Sequence, residues 1–329
     1  MNSFSPMTVL GAGAWGTALA VLLARNGQSV RLWDVDTKRL ELMQLERAFL
    51  GVALPDNLHI LFELNKAVEG IRDICLVVPS YAFRKVLQQL KPIVSMNVRL
   101  VWGTKGLDPD TCAFLHTVVY DVFSDKTPVA AFSGPSFAKE VMLNLPTAVS
   151  LAGNNSAFLD ELTMRFHSHT FRLYQNSDLI GLQLCGVVKN VMAIAAGISD
   201  GMGLGTNTKC ALITRGLAEM ARLCVALGGK RDTMMSLAGV GDLILTCTDN
   251  QSRNRRFGLS IGQGNSIEKT LKDIGESVEG YYNAKQLFQL AKKNNVSMPI
   301  SEQVYAILYE HRDPPSMLSE WLGPELKEV

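Results

Sequence analysis

Thr8-Val-Leu-Gly11-Ala-Gly13-Ala-Trp-Gly16-Thr-Ala-Leu-Ala-Val-Leu-Leu-Ala24 is the stretch that decides the fold. A short apolar run turns through three glycines and continues as a helix-forming run that stops at Asn26-Gly27, where a C-cap glycine is expected. In this strand–turn–helix setting the G-x-G-x-x-G spacing has a mechanism. Gly11 permits the tight turn, Gly13 lets backbone approach a diphosphate, and Gly16 allows close helix–strand packing. The helix then points unpaired N–H groups and the positive end of its dipole at the anion. The next apolar segment, Ser29-Val-Arg-Leu-Trp33, ends in Asp34, where an acid is expected to receive a ribose hydroxyl.

Outward from this unit, β-rich runs at 73–78, 98–102, 128–132, 147–151 and 171–174 alternate with helical patterns at 37–49, 81–90 and 157–166. That alternation predicts a parallel sheet covered on both faces. Beyond Asp178 long 3.6-period segments take over, at 180–196, 208–227, 242–246 with its flanks, 281–293 and 300–309. The expected fold is therefore α/β, a Rossmann-type dinucleotide-binding domain over residues 1–178 followed by a mostly α-helical domain over 179–329. No flexible spacer marks 178–181, which leads to the expectation of two tightly packed domains with a cleft between them.

Bulk properties narrow the function classes. The 329 residues are 47% apolar and 19% charged with a net charge of +1, so no global field holds nucleic acid or an anionic membrane. The charge-free run 9–24 is too short for a membrane span and no basic segment precedes it; a cytoplasmic protein with no membrane insertion is expected. Cys75, Cys112, Cys185, Cys210, Cys224 and Cys247 are scattered without a C-x-x-C pair and read as buried reduced thiols. With five histidines and no H-E-x-x-H, no metal site is expected.

Several polar residues stand where chemistry could use them. Lys105 follows the strand at 98–102, at the sheet edge where open α/β folds bind ligands. Ser133-Gly134-Pro135-Ser136-Phe137-Ala138-Lys139-Glu140 reads as a helix start with Pro135 in its first turn, serving either as a cap or as a ligand contact. Lys189 and Asn190 are embedded in a run apolar nearly all round. Such a lysine either snorkels to water or faces a cleft with its pKa lowered into the range of proton exchange. Asp242 begins a helix after Gly239-Val-Gly241, where it either caps or orients a cationic acid/base. The donors of Asn250-Gln-Ser252-Arg253-Asn254-Arg255-Arg256 form a solvated basic face or a phosphate clamp.

The motifs G-A-G-A-W-G-T at the start, W-G-T-K-G at 102–106, S-G-P-S-F-A-K-E at 133–140, V-V-K-N-V at 187–191, T-K-C-A-L-I-T-R-G-L-A-E-M at 208–220, G-D-L-I-L-T-C-T-D-N-Q-S-R-N-R-R-F-G at 241–258 and V-E-G-Y at 278–281 closely resemble the bacterial NAD(P)-dependent glycerol-3-phosphate dehydrogenases, in order over nearly the whole chain. The resemblance implies reversible reduction of dihydroxyacetone phosphate to sn-glycerol 3-phosphate, for phospholipid synthesis. It implies Lys189 as general acid/base and Lys105 as a contact to substrate and cofactor. Gly134, Ser136, Asp242, Ser252, Arg253 and Asn254 would line the substrate site, with Asn190 and Thr246 as supporting contacts. Trp15, Ala138, Val278 and Glu279, together with Gly11, Gly13, Ala14, Gly16, Asp34, Val35 and Arg253, would belong to the cofactor site.

One departure bears on the choice between NAD and NADP. Where the family usually carries a basic residue after the second strand, this chain has Asp34-Val35-Asp36. An acid there accepts from a free 2′-hydroxyl and repels a 2′-phosphate, so NAD is favoured, although Lys38 and Arg39 lie close in sequence. Ala14, where a serine is common, removes one hydroxyl near the diphosphate. A small phosphorylated substrate, no nucleic acid and a homodimer are the expected partners. A β-hydroxyacid or 6-phosphogluconate-type dehydrogenase is the rival enzyme reading, but it is expected to carry a different serine/glycine substrate signature before the catalytic lysine, and the Arg253 cluster favours a small phosphorylated substrate. A nucleotide sensor is the non-enzyme reading, and it gives no reason for Lys105, Lys189, Asp242 and Arg253 to occur together.

Overall fold

The computed structural model describes residues 4–317. The chain divides into two compact units, one of Met1–Thr104 with Leu115–Leu179 and the other of Lys105–Phe114 with Ile180–Val329. Ten residues that the sequence groups with the sheet thus belong to the helical unit.

The first unit opens with strand β1 (Met7–Leu10), buried at every position, and helix α1 (Ala14–Arg25), whose C-cap is Asn26 with Gly27 left-handed behind it at φ 80°. β2 (Val30–Trp33) and α2 (Thr37–Glu46) follow. The helix expected to reach residue 49 ends at Glu46, because left-handed Arg47 and Leu50 turn the chain into a two-residue hairpin, β3 (Ala48–Phe49) with β4 (Val52–Ala53). Strand β5 (Leu58–Leu61) and helix α3 (Leu64–Val68) are too short to register as periodic runs. Next come β6 (Asp73–Leu76), α4 (Ser80–Leu90), β7 (Arg99–Trp102), α5 (Leu115–Val122) and β8 (Val129–Ser133). Helix α6 (Ala138–Met142), β9 (Thr147–Gly153), α7 (Ser156–Phe166) and β10 (Phe171–Gln175) complete it.

The eight long strands form one sheet in the order β10-β9-β8-β7-β6-β1-β2-β5. From β1 the chain builds outward through β2 to β5, then returns to lay β6 on the other side of β1. The carboxyl ends of β1 and β6 are therefore the switch point at which α/β sheets bind ligands. The all-parallel expectation fails at one pair, since β9 runs antiparallel to β8. Helix lengths give the reason. The five residues of α6 span about 7.5 Å, too little to carry the chain back along a strand. The eleven of α7 span about 16 Å, and β10 is parallel to β9.

In the second unit helix α8 (Leu179–Gly201) is buried along almost its full length, and α9 (Gly205–Ala226) follows it. Short turns lead into α10 (Asp242–Thr248), then α11 (Arg253–Gly262), α12 (Ile267–Ile274), α13 (Glu279–Lys293) and α14 (Pro299–Tyr309). Helix α8 is apolar and long enough to cross a membrane, but 89% of that stretch is packed inside the protein. It meets α11 backbone to backbone. A Cβ on Gly197 would come 2.1 Å from the Arg255 carbonyl oxygen, and one on Gly258 2.1 Å from that of Ile194. Gly201 and Gly262 repeat the arrangement one turn on, at 2.3 Å each. This close approach sets the start of α11 beside the middle of α8. The cysteines depart from expectation in part: four are buried, Cys112 is half-buried and Cys210 is exposed.

Candidate active site

In the first unit the three glycines divide their work. Gly11 has φ 109°, and a Cβ there would sit 2.5 Å from the Val77 carbonyl oxygen. One on Gly16 would sit 1.9 Å from the Gly11 carbonyl oxygen, whereas one on Gly13 would meet no atom within 4 Å. Gly13 is also the N-cap of α1 and makes no side-chain cap hydrogen bond, so the cap residue satisfies none of the first-turn N–H groups with a side chain. An uncapped helix start with bare backbone over open space fits a dinucleotide's diphosphate. Trp15 lies over the end of β7, its Nε1 2.5 Å from where a Cβ on Gly103 would be.

Asp34 is tied into this turn. Its Oδ2 accepts from the Ala12 N–H at 2.6 Å and its Oδ1 from the Asp36 N–H at 2.9 Å, with the Arg39 guanidinium 3.8 Å away. Carboxylate oxygens offer about four lone-pair sites, so two remain for a hydroxyl. Val35 is 76% exposed and offers no cation to a 2′-phosphate. The segment after β8 corrects an expectation: residues 134–137 are extended and bent, α6 begins only at Ala138, and Pro135 is not in a helical turn. At Gly134, φ is 150° and a Cβ would come 2.9 Å from Val149 Cα; the Ser136 hydroxyl donates to the Gly134 carbonyl at 3.0 Å.

The second unit brings together residues from three segments. Lys189 projects from α8 but does not snorkel: it is 8% exposed, donating to Asp242 Oδ1 at 2.8 Å and to the Thr246 hydroxyl at 3.0 Å. Lys105 donates to the other oxygen of the same carboxylate at 2.6 Å. Its stem lies on Gly186, where a Cβ would come 3.3 Å from Lys105 Cγ. Asp242 is the first residue of α10 rather than its cap, and Thr246, one turn on, donates its hydroxyl back to the Asp242 carbonyl at 2.6 Å.

Burial lowers the Lys189 pKa to about 8; Asp242 pulls it upward and the Lys105 ammonium downward. Burial acts on Asp242 in the opposite sense, raising it, but the two ammonium groups outweigh that and hold its carboxyl below the usual range. A lysine that exchanges its proton near neutrality is matched to general acid/base work. Neighbouring Cys247 is pushed up to about 12 by burial and is an inert thiol.

Around this group the 250–258 cluster separates into parts. Ser252 caps α11 by accepting from the Arg255 N–H at 3.2 Å. Arg255 turns inward to Asp200 and Asn250, while Arg253, 41% exposed at its side chain, pairs with Glu276 at 2.7 Å. Asn254 is buried and donates to Asn190 at 2.9 Å. Val278 caps α13 and Glu279 is its first residue. Further along α13, Asn283 accepts from Asn190 and donates to Gln286; in the sequence both look like ordinary polar positions of an amphipathic helix. Among the described residues no group of three or more His, Cys, Asp or Glu could hold a metal ion.

A Rossmann unit with a dinucleotide turn, joined to a helical unit holding a lysine–aspartate–lysine group, defines the class of two-unit nicotinamide-dependent dehydrogenases. Comparison with known proteins narrows the class. The sequence model described as the N-terminus of NAD-dependent glycerol-3-phosphate dehydrogenase matches residues 6–159, and the one for its C-terminus matches 178–319. Glycerol-3-phosphate dehydrogenase [NAD(P)+] of Vibrio cholerae is 52% identical over 98% of this chain and 95% of its own length. That of Actinobacillus pleuropneumoniae is 49% identical over 98% of each. The crystal structure of glycerol-3-phosphate dehydrogenase from Coxiella burnetii superposes with a TM-score of 0.94 at 49% identity, covering 97% of this chain and 99% of that one. The chain belongs to the NAD-dependent glycerol-3-phosphate dehydrogenase family.

Proposed function

We propose that the protein catalyses the reversible reduction of dihydroxyacetone phosphate to sn-glycerol 3-phosphate with NADH or NADPH, feeding phospholipid synthesis. The observation that carries the reading is the single Asp242 carboxylate shared by Lys105 and Lys189. The turn at Gly11, Gly13 and Gly16, with Ala14, Trp15, Asp34 and Val35, would hold the dinucleotide, with Ala138, Val278 and Glu279 contributing. When bound, the reduced nicotinamide supplies the hydride. As C2 of the substrate takes it, negative charge grows on the former carbonyl oxygen, and Lys189 Nζ gives that oxygen its proton. Asp242 and Thr246 hold the ammonium in place. Lys105 adds a second positive charge for the anionic substrate, and Arg253 with Ser252 and Asn254 takes its phosphate once the exposed pair with Glu276 opens. Gly134 and Ser136 complete the proposed substrate contacts.

Asp34 supports a preference for NAD, because a 2′-phosphate would meet its carboxylate and find only aliphatic Val35 beside it. The reading also places the enzyme in the cytoplasm, in keeping with six free cysteines, and as a pair of chains. Light scattering that returned the mass of one chain would remove the pairing. The decisive experiment follows nicotinamide absorbance with dihydroxyacetone phosphate, using NADH and NADPH in parallel and unphosphorylated dihydroxyacetone as control. Oxidation that requires the phosphate supports the reading, a higher kcat/KM with NADH supports the role of Asp34, and binding of both nucleotides without turnover overturns the reaction.

A further inference from the structure

Five hydrogen bonds run through the helical unit in one unbroken sense. The Gly280 N–H donates to Asn254 Oδ1 (2.9 Å), Asn254 Nδ2 to Asn190 Oδ1 (2.9 Å), and Asn190 Nδ2 to Asn283 Oδ1 (3.1 Å). Asn283 Nδ2 then donates to Gln286 Oε1 (3.1 Å), and Gln286 Nε2 to the Leu107 carbonyl (3.2 Å). All four amide side chains are buried, none more than 9% exposed. Each amide is a donor at one end and an acceptor at the other, so its orientation is dictated by its neighbours. Both ends of the series are backbone groups that cannot reverse, and they fix the direction of every link between them.

The series touches three of the proposed working segments one or two residues away. Asn190 follows Lys189, Asn254 follows Arg253, and Leu107 stands two residues after Lys105. Leu107 is fully buried and bridges to Phe114, while Gly106 between it and Lys105 has φ 156°. Beyond the packing of its stem on Gly186, the Lys105 backbone is thus registered to the lysine-bearing helix through Leu107, Gln286, Asn283 and Asn190. We propose that Asn283 and Gln286 are positioning residues, which hold the Lys105 segment in register with Lys189 so that one Asp242 carboxylate receives both lysines. The inference builds on the proposed function, in which those two lysines act on the substrate, but the placement itself can be read without turnover.

The test is Gln286→Met, which keeps length and removes the amide, leaving the Leu107 carbonyl and Asn283 Nδ2 unpartnered. The full-length protein is labelled with acetic anhydride at pH 8, and the rates at Lys105 and Lys189 are read by peptide mass spectrometry. The groups facing Lys189 are Asp242 and Cys247 of α10 and Lys105 itself. If Lys105 drifts from the carboxylate it becomes more accessible and labels several-fold faster. Lys189, losing a like charge, holds its proton more tightly and labels more slowly. General loosening of the fold would speed both.

Opposite changes, with kcat for reduction lowered about tenfold and its pH midpoint moved upward, are the expected result. In a double-mutant cycle Gln286→Met should add little to Lys105→Met, because it acts through Lys105. Unchanged labelling in folded Gln286→Met, equal acceleration at both lysines, or additive losses in the cycle overturns the proposal. Should Gln286→Met not fold, Gln286→Asn, which keeps the amide but falls a methylene short, takes the same measurements; failure of both to fold makes the series structural and overturns the proposal as well. If the native enzyme turns over neither cofactor, the reaction reading fails, while the labelling still decides the positioning role.

Discussion

Each unit buries a carboxylate between two cations, and the two clusters are built for opposite purposes. In the first unit Asp73 takes both Arg99, at 2.5 and 2.7 Å, and Arg165, at 2.8 Å, while Glu161 closes the ring at 2.6 and 3.0 Å. Two carboxylates face two guanidiniums, and charge cancels. Hydrogen bonding from Arg99, and then Arg165, holds the Glu161 carboxyl down at about 2 against its partial burial. Asp73 and Arg99 are the first residues of their strands, at the opposite end of the sheet from Gly11. In the second unit one carboxylate faces two ammonium groups, leaving a positive charge in excess. Guanidinium keeps its charge and its forked geometry under all ordinary conditions, whereas a buried ammonium can give its proton away. The arginine cluster is therefore suited to holding structure, and the lysine cluster to receiving an anion and exchanging a proton with it.

Putting a guanidinium into the second cluster breaks this contrast most directly. Lys189→Arg keeps the charge beside Asp242 but removes the exchangeable proton, and kcat should fall by roughly 10²–10⁴ while nucleotide binding by calorimetry stays within about twofold. Turnover near the native rate would end the assignment of Lys189 as proton donor. The reciprocal change is Asp73→Ala, which leaves two buried guanidiniums with Glu161 as their remaining carboxylate partner. About 3–5 kcal/mol of stability should be lost in urea unfolding, with kcat per folded molecule unchanged. A loss below 1 kcal/mol would mean that Glu161 alone neutralises the pair.

The contrast also sharpens with pH. With Lys189 lowered to about 8, its ammonium form, the donor in the proposed reduction, prevails below that pH, and the free amine, the acceptor in the proposed oxidation, prevails above it. Reduction kcat should fall towards tenfold per unit above about 8, while oxidation kcat rises through the same range and levels off. Profiles that move together in both directions would assign the titration to another group.

Much of this was legible in the chain. Gly11, Gly13, Gly16 and Asp34 occur at spacings that only a strand–turn–helix setting explains, and the long period-3.6 segments mark α8, α9, α13 and α14. The hairpin at Ala48–Phe49 and the reversed strand β9 were not, because they follow from left-handed residues and from a helix too short to cross the sheet. In the site, Lys189 in an apolar helix was an anomaly visible by pattern, but whether it snorkelled depended on an aspartate 53 residues away. Asn283 and Gln286 gave no signal: buried amides look like surface ones until their partners, up to 179 residues distant, are in place. The paired Gly197/Gly201 and Gly258/Gly262 spacings were a signal that could have been used to bring α8 and α11 together.

A third buried acid extends the comparison to a carboxylate with no cation bonded to it. Glu219 of α9, 1% exposed, accepts from the Ile300 N–H at 2.6 Å and from the Ser301 N–H and hydroxyl at 3.3 and 3.0 Å, at the start of α14. Burial pushes its carboxyl from 4.5 to about 7, with these bonds and the more distant Arg222 pulling back. The folded protein therefore holds this proton where the unfolded chain has released it. Its contribution to stability is complete below about 4.5 and is lost as pH rises through about 7. In between, the loss is at most about 1.4 kcal/mol per pH unit. Glu219→Gln retains an acceptor for the Ile300 N–H but cannot titrate, so the difference in unfolding free energy between variant and native protein should swing in favour of the variant from pH 5 to pH 7. A difference that stays constant across that range would mean Glu219 is ionised throughout, held by the start of α14 as firmly as Glu161 is held by its arginines.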